Sequence, residues 1–158
     1  MNVNIRIAKD NEIPLVKKIS IRTAWERFSE DQKRELDKEK WSQQIGELFD
    51  MLVKKESHEV FVAENEDHTF LGYLWIGEGT NPMTGTKHGY IYDVFVKEDQ
   101  RMKGVGKMLM EKAEHYCRKI GYKRMLLMVA INNQPAIKLY TKQGFKKEQI
   151  YMGKRLSS

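Results

Sequence analysis

The sequence is poor in cysteine and proline, and it lacks any long apolar run. Its 158 residues include one cysteine, Cys117, and three prolines. A lone cysteine excludes an internal disulfide, and no apolar stretch approaches the ~20 residues that a membrane-spanning helix needs. The N-terminal stretch MNVNIRIAKDNEIP carries charges where a signal peptide requires an apolar segment. These absences predict a cytoplasmic protein that does not enter a membrane.

A dense block of positive charge is also missing, although the formal net charge is +6. Basic residues are spread from Lys9 to Arg155 without a terminal arm. This distribution disfavours nucleic-acid binding and fits a solvated surface with one local site for a phosphorylated ligand. His58, His68 and His115 lack the spacing of metal ligands, so we predict no metal site.

Apolar periodicity predicts one mixed α/β (α+β) domain over residues 1–158, with a central sheet flanked by helices. Strands are predicted at 4–8, 59–65, 70–78, 90–96 and 124–131, with a last strand or hairpin at 145–156. One helix is predicted at 11–20 with Asp10 as its cap, and one or two more are predicted within 22–56. Another helix is predicted after the strand at 90–96 and ends at about Ile120. A short helix is predicted from a cap at Asn132 or Asn133 to Gly144. The almost continuous apolar run at 90–96 follows a predicted loop at 79–89, and it predicts a strand buried on both faces.

The stretch DQRMKGVGKM, residues 99–108, places two glycines where a strand is predicted to turn into a helix. Glycine costs about 1 kcal/mol relative to alanine within a helix, so both positions need a reason. The first N–H groups of a helix are unpaired, and glycines let the backbone approach a phosphate closely. Basic side chains at 97, 101, 103 and 107 add attraction. The pattern predicts a phosphate site at 101–107, and the alternative is a helix start with a surface charge cluster.

Two motifs carry a family resemblance. The loop does not match GxxxxGK[ST], and it lies too late in the chain for a dinucleotide fingerprint. It reads R-x-x-G-x-G and resembles the acetyl-CoA loop of the GNAT superfamily of acyl-CoA N-acyltransferases. The stretch 132–145 resembles that family's N-x-x-A-x-x-L-Y-x-x-x-G-F element through Asn133, Ala136, Leu139, Tyr140, Gly144 and Phe145. The resemblance is specific over 89–145, whereas 20–57 carries no motif of the family.

The resemblance implies that acetyl-CoA binds at the junction of strand, glycine loop and helix, without a metal. The backbone near Phe95 and Val96 would pair with the pantetheine arm, and the Val96 N–H would polarise the thioester carbonyl. Asn133 would bond the pantetheine or the strand edge, cap the following helix, or do both. The implied cofactor-binding residues are Phe95, Val96, Arg101, Met102, Lys103, Gly104, Val105, Gly106, Lys107, Asn133, Ala136 and Tyr140.

Two residues are candidates for catalysis. Tyr140 corresponds to the family's general acid, because a phenol can protonate a departing thiolate; the alternative is a core aromatic. Asp93 stands in an apolar strand, where a lone carboxylate needs a reason. It would take the proton of the amine or orient its ammonium; the alternative is a carboxylate satisfied by its neighbours. Glu78 and His88 are other candidates for the base.

Several aromatic residues have two interpretations. Trp25 and Phe28 lie where the family's acceptor site is usually lined, but both also fit a core. The predicted core residues are Trp41, Tyr73, Trp75 and Cys117.

The predicted function is transfer of an acetyl group from acetyl-CoA to a primary amine of a small molecule or protein. The alternatives are an acyl-CoA-binding sensor or interaction domain without turnover and an RNA-associated domain, and a homodimer is left open.

Overall fold

The computed structural model describes residues 2–156 of the chain. Its strands are β1 (Asn4–Ile7), β2 (His58–Glu64), β3 (Phe70–Thr80), β4 (Lys87–Val96) and β5 (Met125–Leu127). Its helices are α1 (Ile13–Glu26), α2 (Glu30–Glu35), α3 (Lys38–Val53), α4 (Val105–Ile120) and α5 (Gln134–Lys142), with 3-10 turns at Asp10–Glu12 and Glu98–Gln100. In this part of the chain no helix has the length and apolar character to span a bilayer.

The strands form one five-stranded sheet in the order β1-β2-β3-β4-β5. Neighbouring strands from β1 to β4 are antiparallel, whereas β5 runs parallel to β4. A parallel pair needs a crossover, and α4 supplies it by connecting β4 to β5. The mixed sheet and its flanking helices confirm the predicted fold class.

Each face of the sheet buries its own apolar layer. On one face, α4 packs Val105, Leu109, Met110, Ala113 and Cys117 against the strands. On the other face, Val16 and Ile19 of α1 and Phe49 of α3 pack against Tyr73 and Trp75 of β3. The predicted core role of Cys117, Tyr73 and Trp75 is therefore confirmed, and Trp41 is also buried.

Several predicted boundaries were wrong. The first helix is Ile13–Glu26 because Asp10 belongs to a 3-10 turn and Pro14 stands in the first helical turn. Pairing continues to Thr80↔Lys87, so the predicted loop at 79–89 is much shorter. In the run 90–96 only Ile91 and Asp93 are fully buried. The remaining side chains of that run are half-buried, because β5 covers only the first part of β4.

The predicted strands near the C-terminus are also wrong. The strand expected at 124–131 ends at Leu127, and residues 145–156 form no regular secondary structure. The register explains the first difference, because β5 pairs with β4 at three positions only and then parts from it. The apolar residues of the last segment, Ile150, Tyr151, Met152 and Leu156, are exposed. Alternation alone predicted a strand there, but a strand forms only where its backbone pairs with a neighbour, and residues 145–156 pair with none of the five strands.

Candidate active site

The sheet opens between β4 and β5. The parallel pairing ends at Ile91↔Leu127, so no strand within residues 2–156 covers β4 residues 92–96 on that side. An irregularity between Trp75 and Ile76 leaves Tyr92 as an extra residue in β4. This bulge reverses the alternation of the strand beyond it. Val94 then lies on the α4 face, whereas Tyr92 and Phe95 pack on the α1 face.

The register also decides which backbone groups face the opening. The Lys97 N–H donates to Leu71 O at 2.9 Å, so Phe95, two residues earlier, exchanges its bonds with Tyr73 of β3. The N–H and C=O groups of Val94 and Val96 consequently point to the open edge. The geometry thus favours Val94 and Val96 over Phe95 for backbone contacts to a ligand, and Val94 is a residue that the sequence analysis missed.

The glycine loop follows directly and is rich in unpaired N–H groups. The Arg101 N–H donates to Glu98 O, and the next backbone donor with a backbone acceptor is the Met108 N–H, on Gly104 O. Within residues 2–156, the N–H groups of 102–107 have no backbone acceptor. Because these groups surround the N-terminus of α4, the loop has the chemistry of an anion site.

Glycine is required at positions 104 and 106 for different physical reasons. Gly104 caps α4 with φ 84°, a left-handed conformation, and a Cβ there would meet no atom within 4 Å. A Cβ on Gly106 would instead lie 3.1 Å from Leu139 Cδ2, so this glycine allows α4 and α5 to approach closely. Gly104 thus shapes the loop beside open space, and Gly106 serves helix packing.

The other loop side chains are distributed around this backbone. Arg101 turns back and donates its Nε–H to Val96 O at 3.2 Å. Met102 has φ 62° and is almost fully exposed, and Lys103 is exposed as well. Val105 is buried in the core, so only its backbone faces the loop. Lys107 lies 3.7 Å from Glu111 on the same helix.

Asp93 lies at the centre of a buried polar cluster on the α1 face. Its Oδ2 accepts hydrogen bonds from the hydroxyls of Ser20 and Tyr73, and its Oδ1 accepts one from Arg27 Nη2 at 3.2 Å. Burial, followed by the charge of Asp93, raises the pKa of Tyr73, which therefore remains a donor. A carboxylate is tolerated in this apolar strand because three side chains donate hydrogen bonds to it.

Tyr140 is close to this cluster although α5 belongs to the other face. Its ring packs against Phe145 with 5.8 Å between centroids. Burial raises the pKa of the Tyr140 hydroxyl; the charge of Arg27 lowers it and that of Asp93 raises it. Both charges are therefore within electrostatic range of Tyr140, which stays protonated at neutral pH.

Asn133 begins the helix that carries Tyr140. Its side chain accepts a hydrogen bond from the Ala136 N–H at 3.3 Å, which identifies Asn133 as the cap of α5. The cap is the role expected from its residue type, and its contact with a cofactor stays a prediction. By starting the helix at this position, Asn133 determines where Tyr140 lies along α5.

Aromatic side chains cluster at the end of α1 beside Arg27. Trp25, Phe28 and Trp41 pack together with ring centroids 5.2–5.9 Å apart. Trp25 and Phe28 are half-buried, so each has a core contact and an accessible part. They can border an acceptor beside Asp93.

The other candidates for the base lie elsewhere. Glu78 pairs with Gly89 near the start of β4, where it binds the Tyr122 hydroxyl at 2.6 Å and Lys87 at 3.1 Å. His88 packs against Tyr90 in the same region. Among the described residues, no group of three or more His, Cys, Asp or Glu is placed to hold a metal ion. Sequence reasoning missed Arg27 and Ser20, whose role depends on how α1 crosses the sheet.

Curated relatives match part of the chain. It is 29% identical over 99 residues to the uncharacterized N-acetyltransferase YycN of Bacillus subtilis, covering 63% of this chain and 62% of that protein. It is 28% identical over 121 residues to the uncharacterized N-acetyltransferase MJ1207 of Methanocaldococcus jannaschii, covering 73% of this chain and 50% of the relative. The matches thus span 50% and 62% of the relatives' own lengths.

Solved structures match the whole fold. A candidate acetyl transferase from Pyrococcus furiosus superposes with a TM-score of 0.82 at 30% identity, covering 98% of this chain and 100% of that one. AAC(6')-Iy, solved in complex with the bisubstrate analogue CoA-S-monomethyl-acetylneamine, has a TM-score of 0.70 at 15% identity and shares the fold. The profile of the acetyltransferase (GNAT) family matches residues 21–145. Because this match covers well over half of the chain and confirms the resemblance of its two motifs, the chain belongs to the acetyltransferase (GNAT) family.

Proposed function

We propose that the protein transfers an acetyl group from acetyl-CoA to a primary amine. One observation carries the proposal: the open edge of β4 runs from the N–H-rich loop at 102–107 to the cluster around Asp93 and Tyr140. A long ligand with a phosphorylated end and a reactive end can lie along this edge.

The N–H groups along the open edge and the loop match the co-substrate in chemistry, and they follow one another in the same order as its pyrophosphate, pantetheine arm and thioester. The N–H groups of 102–107 bind the pyrophosphate, and open space beside Gly104 leaves room for it. Val96 lies nearer the loop, and its N–H pairs with an amide of the pantetheine arm as an added strand would. Val94 lies two residues farther from the loop and next to Asp93, so its N–H, rather than the Val96 N–H expected from the resemblance, donates to the thioester carbonyl oxygen and stabilises the negative charge that develops there. Lys103 and Lys107 add attraction for the phosphates.

Asp93 and Tyr140 divide the proton transfers. A primary amine is mostly protonated at neutral pH, so one proton leaves the ammonium before the nitrogen attacks. Asp93 holds the ammonium and receives that proton or passes it to water. As the C–N bond forms and the C–S bond breaks, Tyr140 donates its proton to the leaving sulfur. The second proton of the nitrogen then returns to Tyr140 through water.

The test combines binding with turnover. A ligand that binds only the folded state stabilises it by about 2.7 kcal/mol at a hundredfold excess over its Kd. For a chain of this size we therefore expect acetyl-CoA to raise the Tm by about 5–10 °C and adenosine to raise it far less. Turnover is followed by thiol release with a panel of amines, with Tyr140→Phe as the matched variant.

The possible outcomes separate the alternatives. A thermal shift with amine-dependent thiol release supports acetyl transfer. A shift without thiol release would indicate the acyl-CoA-binding sensor, and no shift at millimolar acetyl-CoA would overturn both proposals. One domain over 1–158, a cytoplasmic location and a homodimer stay predictions.

A further inference from the structure

The ion pair between Arg27 and Asp93 joins a buried group to an accessible one. The side chain of Asp93 is 6% exposed and that of Arg27 is 48% exposed. Ser20 and Tyr73 both donate to Oδ2, and within residues 2–156 Arg27 is the one side chain that donates to Oδ1. Oδ1 is therefore the oxygen of Asp93 that can be reached from solvent once Arg27 moves.

Arg27 is held loosely enough to move. It caps the C-terminus of α1, where the helix ends and only its backbone N–H is tied to α1. One guanidinium nitrogen contacts one carboxylate oxygen, in contrast to the bidentate geometry that makes such pairs strong. Half-exposed ion pairs of this kind contribute little free energy, so a competing cation can replace the guanidinium.

We infer that Arg27 occupies the place of the acceptor's ammonium on Asp93 Oδ1 and is displaced when the acceptor binds. The inference rests on the proposed function, because it concerns the acceptor side of that site. A primary ammonium has the same charge and N–H donors as the guanidinium, and the two cations repel each other on one oxygen. Tyr140, the proposed proton donor, lies within electrostatic range of the same pair.

The displacement of Arg27 also determines which charge the acceptor carries besides its ammonium. The freed guanidinium stays beside the bound amine, whereas Arg22, five residues earlier on α1, lies 4.0 Å from Glu26, which offsets its charge. Because it is no longer paired with Asp93, the freed guanidinium repels a second positive charge on the acceptor and attracts a carboxylate. The acceptor is therefore an amine that also carries an anionic group, as amino acids do, rather than a polyamine.

The test uses three amines with the same four-carbon chain: 4-aminobutyrate, n-butylamine and 1,4-diaminobutane. We compare wild type with Arg27→Met and with Arg22→Met, a matched control on the same helix that does not contact Asp93. Binding is measured by NMR titration and KM by thiol release. In wild type, 4-aminobutyrate should bind best and 1,4-diaminobutane worst.

In Arg27→Met, n-butylamine should bind at least tenfold more tightly, about 1.4 kcal/mol, and the preference for 4-aminobutyrate should disappear. The KM of Arg27→Met for n-butylamine should fall, and Arg22→Met should bind n-butylamine as wild type does. Equal or weaker binding by Arg27→Met would overturn the inference, because Arg27 would then be a contact for the acceptor or a purely structural residue.

A second measurement uses the wild-type protein, so it depends neither on the folding of Arg27→Met nor on turnover. The side-chain Nε–H signal of Arg27 in labelled wild-type protein should shift on adding n-butylamine and not on adding n-butanol. An unchanged signal at saturating amine would refute displacement. If the wild type binds these amines and shifts the signal but releases no thiol, the proposed transfer fails while the displacement stands.

Discussion

Replacing each loop glycine by alanine should separate two structural causes. Gly104→Ala forces a side chain into φ 84°, and the left-handed region costs an L-residue about 1–2 kcal/mol. Gly106 is already helical, so alanine gains up to about 1 kcal/mol in helix propensity there. The new Cβ meets Leu139 Cδ2 at 3.1 Å, and this half-buried side chain can yield by a few tenths of an ångström. The two effects nearly cancel at this position.

We therefore expect Gly104→Ala to lower the free energy of unfolding by about 1–2 kcal/mol and Gly106→Ala to change it by less than about 1 kcal/mol. Urea unfolding followed by circular dichroism measures both. A suitable control is Gly121→Ala at the opposite end of α4, where φ is 98° and no atom lies within 4 Å of an added Cβ. It carries the same backbone strain without touching the loop.

Acetyl-CoA binding distinguishes the loop from the control. Gly104→Ala should weaken binding at least tenfold, about 1.4 kcal/mol by calorimetry, because its Cβ enters the space beside the unpaired N–H groups. Gly121→Ala should bind acetyl-CoA as wild type does, despite a similar loss of stability. If both variants lost affinity equally, or if Gly104→Ala lost none, the assignment of the loop to the pyrophosphate would be wrong.

Three further predictions address the catalytic cluster and the rest of the fold. Tyr140→Phe should lower kcat about 10²-fold with little change in acetyl-CoA affinity, and an unchanged single-turnover rate would remove it from the mechanism. Asp93→Asn should cost about 1–3 kcal/mol in urea unfolding, because the amide replaces one of the two acceptor oxygens that three side chains share by an N–H₂ donor; equal stability would contradict the cluster. Arg6 holds the pKa of Glu64 at about 2, below its ordinary 4.5, so this stabilisation is complete above pH 4.5 and is lost as the pH falls toward 2. Glu64→Gln should flatten that acid-side decline, and an identical profile would refute it.

The sequence by itself determined which local elements form and which chemistry they offer. The N–H-rich helix start needs only the spacing of Gly104 and its basic neighbours, and Asn133 caps α5 by its own side chain. These features are local, because helix caps and turns depend on residues within one or two turns of the chain. The same locality explains why the two motifs were sufficient to predict the family.

Only the tertiary structure decided how the site is assembled. The extra residue Tyr92 in β4 places the Asp93 carboxylate on the α1 face, and the early end of β5 frees the β4 edge beyond Ile91. Arg27 and Ser20 reach Asp93 across more than 65 positions of sequence, because α1 packs over that part of the sheet. A local pattern contains no record of strand register or helix crossing, since both follow from which apolar faces bury one another. For that reason the sequence indicated a lone carboxylate in a strand, whereas packing decided which side chains bind it.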